Sequence, residues 1–170
     1  MTHVAQPVNF ASVEPHPSVA ALVPLLGTWR GIGHGEYPTI EPFDYREEIE
    51  FGHAGRPFFT YRQMTKGADG RPLHAETGYL RSPSPGRVEL VLAHPTGITE
   101  ICEGTVTETV DGIRLELNSS TIGASASAKP VTAVGRSLHV TGDTIDYTLR
   151  MAAVGEPLQH HLSATLQRVS

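Results

Sequence analysis

Cysteine is nearly absent. Cys102 stands alone in 170 residues, which excludes an internal disulfide and suits a reducing compartment. Aromatic residues make up only 6% and include one tryptophan, Trp29, so a large interior would be short of ring bulk to fill it. No apolar run approaches the roughly 18 to 20 residues that cross a bilayer as a helix. The first residues, Met1-Thr-His-Val-Ala-Gln-Pro7, lack the basic patch and apolar stretch of a secretory leader. Lysine and arginine form no cluster, and with a formal net charge of −5 nothing is arranged to neutralise a phosphate backbone. The expectation is a cytoplasmic protein with neither a membrane nor a nucleic-acid partner.

What the chain does have is punctuation. Its 17 glycines and 13 prolines cut it into short segments of alternating polarity. Residues 1–16 read as an extended lead-in, and residues 17–170 as a single domain. Ser18 is placed to cap one short helical turn through Val19–Leu26, which Pro24 limits. Strands are expected at about 27–34, 44–52, 58–66, 73–82, 86–93, 98–109, 112–122, 131–141, 144–154 and 158–168. Glycines in His53-Ala-Gly-Arg56, Ala68-Asp-Gly-Arg71 and Pro83-Ser-Pro-Gly86 supply the positive φ that turns need. Asp111-Gly112 and Gly142-Asp143 read as two-residue hairpin turns. Val88, Leu90 and Leu92 alternate with Glu89 and Val91, as Ile113, Leu115 and Leu117 do with Arg114 and Glu116.

This is an all-β chain. Sequential strands joined by short loops favour an antiparallel up-and-down β-barrel of about ten strands over a Greek-key sandwich. A barrel of that width, poor in large side chains, should be hollow and open to an apolar guest. In the first strand, Gly27, Gly31 and Gly33 permit the bending and close approach that closure requires, and Trp29 can plug one end. The glycine spacing also resembles a dinucleotide loop, but no βαβ unit follows it, and that reading fails.

The residues then become more specific. Leu26-Gly27-Thr-Trp29-x-Gly31-x-Gly33, Tyr37-Pro-Thr39-Ile and Phe43-x-Tyr45-x-Glu47-Glu48 together resemble the nitrobindin family of haem-binding β-barrels. Gly78-Tyr-Leu-Arg81, Ala128-Lys129-Pro130 and Met151…Pro157-Leu-x-x-His161-Leu extend the resemblance from Leu25 to the end of the chain. It implies a ten-stranded barrel, lipocalin-like in outline, carrying one haem b at an open end. It also implies that His161, the histidine directly before a leucine, is the proximal iron ligand and acts in catalysis through the iron. Thr39 and Lys129 would contact the haem. Read locally, Thr39 is equally a turn residue and Lys129 equally a solvated charge. The implied activity is isomerisation of peroxynitrite to nitrate, with nitric oxide as a second ligand of the iron. Oligomeric state, a homodimer included, is left open.

Strict alternation disagrees with the family motif at one point. It places His160, not His161, on the apolar face with Leu162, Ala164 and Leu166. A bulge at the strand start would restore His161, so His160 stays as the alternative ligand. His34, in Gly33-His34-Gly35, could overhang the pocket. His53, His74, His94 and His139 are scattered without metal-ligand spacing, so no zinc site and no paired carboxylates are expected. Cys102, Tyr61 and Tyr147 are weaker candidate ligands. Glu47, Glu48 and Glu50 read as a solvated outer face. The competing function is a non-catalytic carrier of a fatty acid or other apolar molecule, which the architecture alone would serve equally.

Overall fold

The computed structural model describes residues 13–170. Residues 13–16 have no regular structure, and the rest of the expected lead-in, residues 1–12, lies outside the described residues. A 3₁₀ helix, Pro17–Leu25, precedes ten strands: β1 (Gly27–Tyr37), β2 (Ile40–Gly52), β3 (Phe58–Gly67), β4 (Pro72–Arg81), β5 (Arg87–Ala93), β6 (Ile98–Glu108), β7 (Gly112–Ala124), β8 (Val131–Thr141), β9 (Thr144–Ala153) and β10 (Gln159–Arg168). Each pairs antiparallel with its neighbours in sequence, and β1 pairs with β10, so the sheet closes on itself. Among the described residues no helix is long and apolar enough to cross a membrane.

The alternation seen in the sequence becomes inside and outside. Val88, Leu90 and Leu92 of β5 are buried, as are Ile113, Leu115 and Leu117 of β7. The glycine/tryptophan strand closes the barrel as expected. A Cβ on Gly31 would run into the backbone of Thr165 and Leu166 across the β1–β10 seam, and one on Gly33 would occupy the space of the Tyr45 ring.

One end of the barrel is sealed. Val19, Leu22 and Leu25 of the 3₁₀ helix are wholly buried beneath it, and Trp29 Nε1 donates to the Leu25 carbonyl at 2.8 Å. The Arg168 guanidinium stacks 4.0 Å from the Trp29 ring centre, a cation–π contact. It also donates to the carbonyls of Leu26 and Pro24 and to Asp143. One arginine thereby ties the helix, β10 and the β8–β9 turn to the plug.

Three local expectations are corrected. The helix is capped by His16, whose Nδ1 accepts from the Ser18 amide at 3.2 Å, so Ser18 lies inside the helix and does not cap it. The β6–β7 turn centres on Val110-Asp111, with the Thr109 amide donating to the Gly112 carbonyl at 2.9 Å, and Gly112 already belongs to β7. β1 and β2 run further than expected, to Tyr37 and from Ile40, which makes Tyr37-Pro-Thr39 the hairpin between them.

Replacing Trp29 by alanine removes a fully buried ring together with its hydrogen bond and its stacked arginine. Destabilisation of about 3 to 5 kcal/mol is expected, read from chemical-denaturation midpoints.

Candidate functional site

An up-and-down barrel places alternate turns at the same end. The β1–β2, β3–β4, β5–β6, β7–β8 and β9–β10 connections therefore gather opposite the sealed end. A cavity of about 650 Å³ opens there. Its walls are largely apolar, with Phe43, Leu73, Val131, Leu149, Met151 and Leu162 among them.

His161 lies in this cavity wall. In the β10–β9 ladder His160 faces Arg150 and Leu162 faces Leu149, so His161 is an extra residue, a β-bulge. The bulge breaks the alternation: His161 and Leu162 both line the cavity, and His160 is exposed to solvent. His161 Nδ1 is 3.0 Å from the Glu36 carbonyl oxygen. A carbonyl only accepts, so Nδ1 carries the proton and Nε2 keeps its lone pair. The imidazole packs edge-on to Tyr37, ring centres 5.2 Å apart. Tyr37 is itself fixed, its hydroxyl accepting from the Ala153 amide at 2.9 Å and donating to the Met151 carbonyl at 3.2 Å. Burial lowers the His161 pKa against the opposing pull of the Glu36 carbonyl, favouring the neutral ring.

The other expected site residues divide. Thr39, in the β1–β2 turn, and Lys129, in the β7–β8 connection, are exposed on the loops at the mouth and do not line the cavity. Gly27, Trp29, Gly31 and Gly33 shape the closure and the sealed end. His34 is exposed and paired with Asp44 at 2.8 Å. Cys102 is wholly buried, which pushes its thiol up to about 12, so it is no ready thiolate. Burial likewise raises Tyr61 and Tyr147, which stay phenols.

The cavity floor was not anticipated. Arg136, 2% exposed, donates from Nη1 and Nη2 to Glu76 at 2.7 and 3.1 Å and from Nη2 to Glu100 at 3.0 Å. Tyr61 donates to Glu76 at 2.8 Å, and Arg136 also donates to the Tyr147 hydroxyl at 3.2 Å. Two carboxylates are therefore paired after all, around a buried guanidinium. His74 and His94, 20 residues apart in the chain, meet here with their rings 5.2 Å apart. Burial alone would raise the Glu76 carboxyl, but Arg136 and the His74 contact outweigh it and hold the group well below the usual carboxylate range.

The acidic run of β2 also needs correcting. Glu48 and Glu50 do face outward, toward Arg30 and Arg62. Glu47 turns inward with Tyr45, Ile49 and Phe51, is 2% exposed, and accepts from Gln63. Burial, partly countered by Gln63, raises its pKa from 4.5 to about 7. The folded state then binds the proton more tightly than the unfolded chain. Stability from this group is present below pH 4.5 and lost as pH rises through about 7. Glu47→Gln is expected to be the more stable protein at pH 8 by about 3 kcal/mol. The advantage should shrink toward zero by pH 4.5 when unfolding free energies are compared across pH.

Residues 18–168 match the model of the THAP4-like, heme-binding beta-barrel domain. A peroxynitrite isomerase of Nocardia farcinica (strain IFM 10152) is 67% identical over 169 residues, 99% of each chain. Peroxynitrite isomerase 2 of Mycobacterium marinum (strain ATCC BAA-535 / M) is 60% identical over 156 residues, covering 91% of this chain and 97% of that one. The crystal structure of Rv2717c from M. tuberculosis superposes with a TM-score of 0.89 at 55% identity, over 92% of this chain and 100% of the other. The expected resemblance and the barrel architecture both hold: the chain belongs to the THAP4-like, haem-binding β-barrel family of nitrobindin domains.

Proposed function

We propose that this barrel holds one haem b at its open end, with His161 Nε2 on the iron, and isomerises peroxynitrite to nitrate. The observation that carries the reading is the bulged His161, whose other nitrogen is committed to the Glu36 carbonyl. The residues present suit a haem. The cavity is roomy and mostly apolar, and His161 offers it an imidazole whose Nδ1 is engaged and whose Nε2 keeps its lone pair. When bound, ferric haem would supply an electron-accepting iron able to act on peroxynitrite. The reaction is an isomerisation, so atoms and electrons balance without a further reductant.

The chain's own part is binding and orientation. His161 anchors from one side only. The Glu36 carbonyl fixes its tautomer, and Tyr37, locked onto the end of β9, fixes its plane. Phe43, Leu149, Met151 and Leu162 supply apolar walls. Lys129 and Thr39, exposed at the mouth, are within the loops that would meet the propionate edge. In the ferrous state the same group would supply an iron able to bind nitric oxide. The peroxynitrite assignment is supported by relatives of 60% and 67% identity that carry that name. Carriage of a fatty acid is less well served, because the buried cation that could meet a carboxylate, Arg136, is already held by Glu76 and Glu100.

Protein reconstituted with hemin should show a sharp Soret band, and His161→Ala should collapse it toward the broad band of free hemin. The same spectrum from both proteins would remove His161 from the iron, and its loss in His160→Ala instead would reassign the ligand. Ferric protein should also protect free tyrosine from nitration by peroxynitrite. Protection equal to that of haem-free protein would remove the isomerase and leave haem binding standing.

A further inference from the structure

Beneath the cavity, three donor atoms converge in a way that hydrogen bonding alone does not require. His74 Nε2, His94 Nδ1 and Glu76 Oε2 form a triangle with sides of 3.2, 3.4 and 3.5 Å. Bonds of about 2.0 to 2.1 Å at a tetrahedral angle place zinc donors about 3.3 to 3.4 Å apart. The three atoms already stand at the separation of one tetrahedral face. All three residues line the cavity, so a fourth position would open toward its solvent.

The surroundings are those of a supported metal site. His94 Nε2, on the far side of its ring, lies 3.0 Å from Glu100 Oε1 but off the line of a directed hydrogen bond, and is buried without a partner. A ring turned to offer Nδ1 to an ion would bring Nε2–H onto that carboxylate, the usual outer-shell support of a metal-bound histidine. Glu76 and Glu100 are in turn held by Arg136, and Glu76 Oε2 shares its lone pairs with Arg136 Nη2 at 3.1 Å. Two carboxylates against one guanidinium leave the floor with one net negative charge before any ion arrives. The side chains of Glu76 and His94 are 2% and 6% exposed, and that of His74, at 37%, is the one reached from outside.

We propose that His74, Glu76 and His94 form a divalent-cation site of the two-histidine, one-glutamate kind suited to Zn²⁺, separate from the His161 position. It stands on its own residues whether or not His161 binds iron. The spacing of the histidines in the chain concealed it, because β4 and the β5–β6 turn bring together residues 20 apart.

Haem-free protein titrated with Co²⁺, a spectroscopic stand-in for Zn²⁺, should take up one ion per chain and develop the intense visible bands of tetrahedral cobalt. Zn²⁺ should bleach them. His74→Ala, at the most exposed ligand, should abolish the bands and weaken uptake by at least about 10- to 100-fold, the loss expected even of an outer-shell partner. His161→Ala should keep both bands and stoichiometry. No bands in the wild type, or unchanged bands in His74→Ala, would overturn the site. Their loss in His161→Ala would overturn it equally, by placing the ion at the other histidine.

Discussion

The guanidinium of Arg136, closed in between Glu76 and Glu100, sets where core ends and cavity begins. Below it the interior is apolar, plugged by Trp29 and the 3₁₀ helix. Above it the strands diverge around open space. Stripping water from three charges is costly, and the pairing offsets that cost only while all three partners stay in place. The network therefore marks the boundary between the packed end of the barrel and its hollow end.

The two ends divide the labour of the chain. The sealed end collects apolar residues and the arginine staple, and carries the stability of the barrel. The mouth collects loops and a few polar groups against apolar walls. His161 stands on a strand, not a loop, and its ring is fixed on two sides, by the Glu36 carbonyl and the Tyr37 edge. That rigidity suits a group required to hold a single orientation.

Period-two alternation and turn residues made the ten strands and their order legible, since each strand pairs with its neighbour in the chain. The histidine pair was legible only in part. Alternation favours His160, and the bulge that brings His161 inward leaves no local mark beyond Pro157 nearby. Glu47 could have been found: it shares a face with Tyr45, Ile49 and Phe51, and only the attraction of reading three glutamates as one surface concealed it. The floor could not be read from spacing. Glu76, Glu100 and Arg136 come from β4, β6 and β8, and their pairing exists only once the barrel has closed.

Closure has a consequence for how the pocket depends on the fold. His161 and the Glu36 carbonyl that fixes its tautomer are 125 residues apart, and they meet across the β1–β10 seam that closes the sheet. A contact of such range costs loop-closure entropy that the pairing of the intervening strands offsets. The candidate ligand is thus positioned only when the barrel is closed. A partly folded barrel offers a hydrophobic trough with no fixed imidazole, and the pocket can grip a guest through that histidine only after the fold is complete.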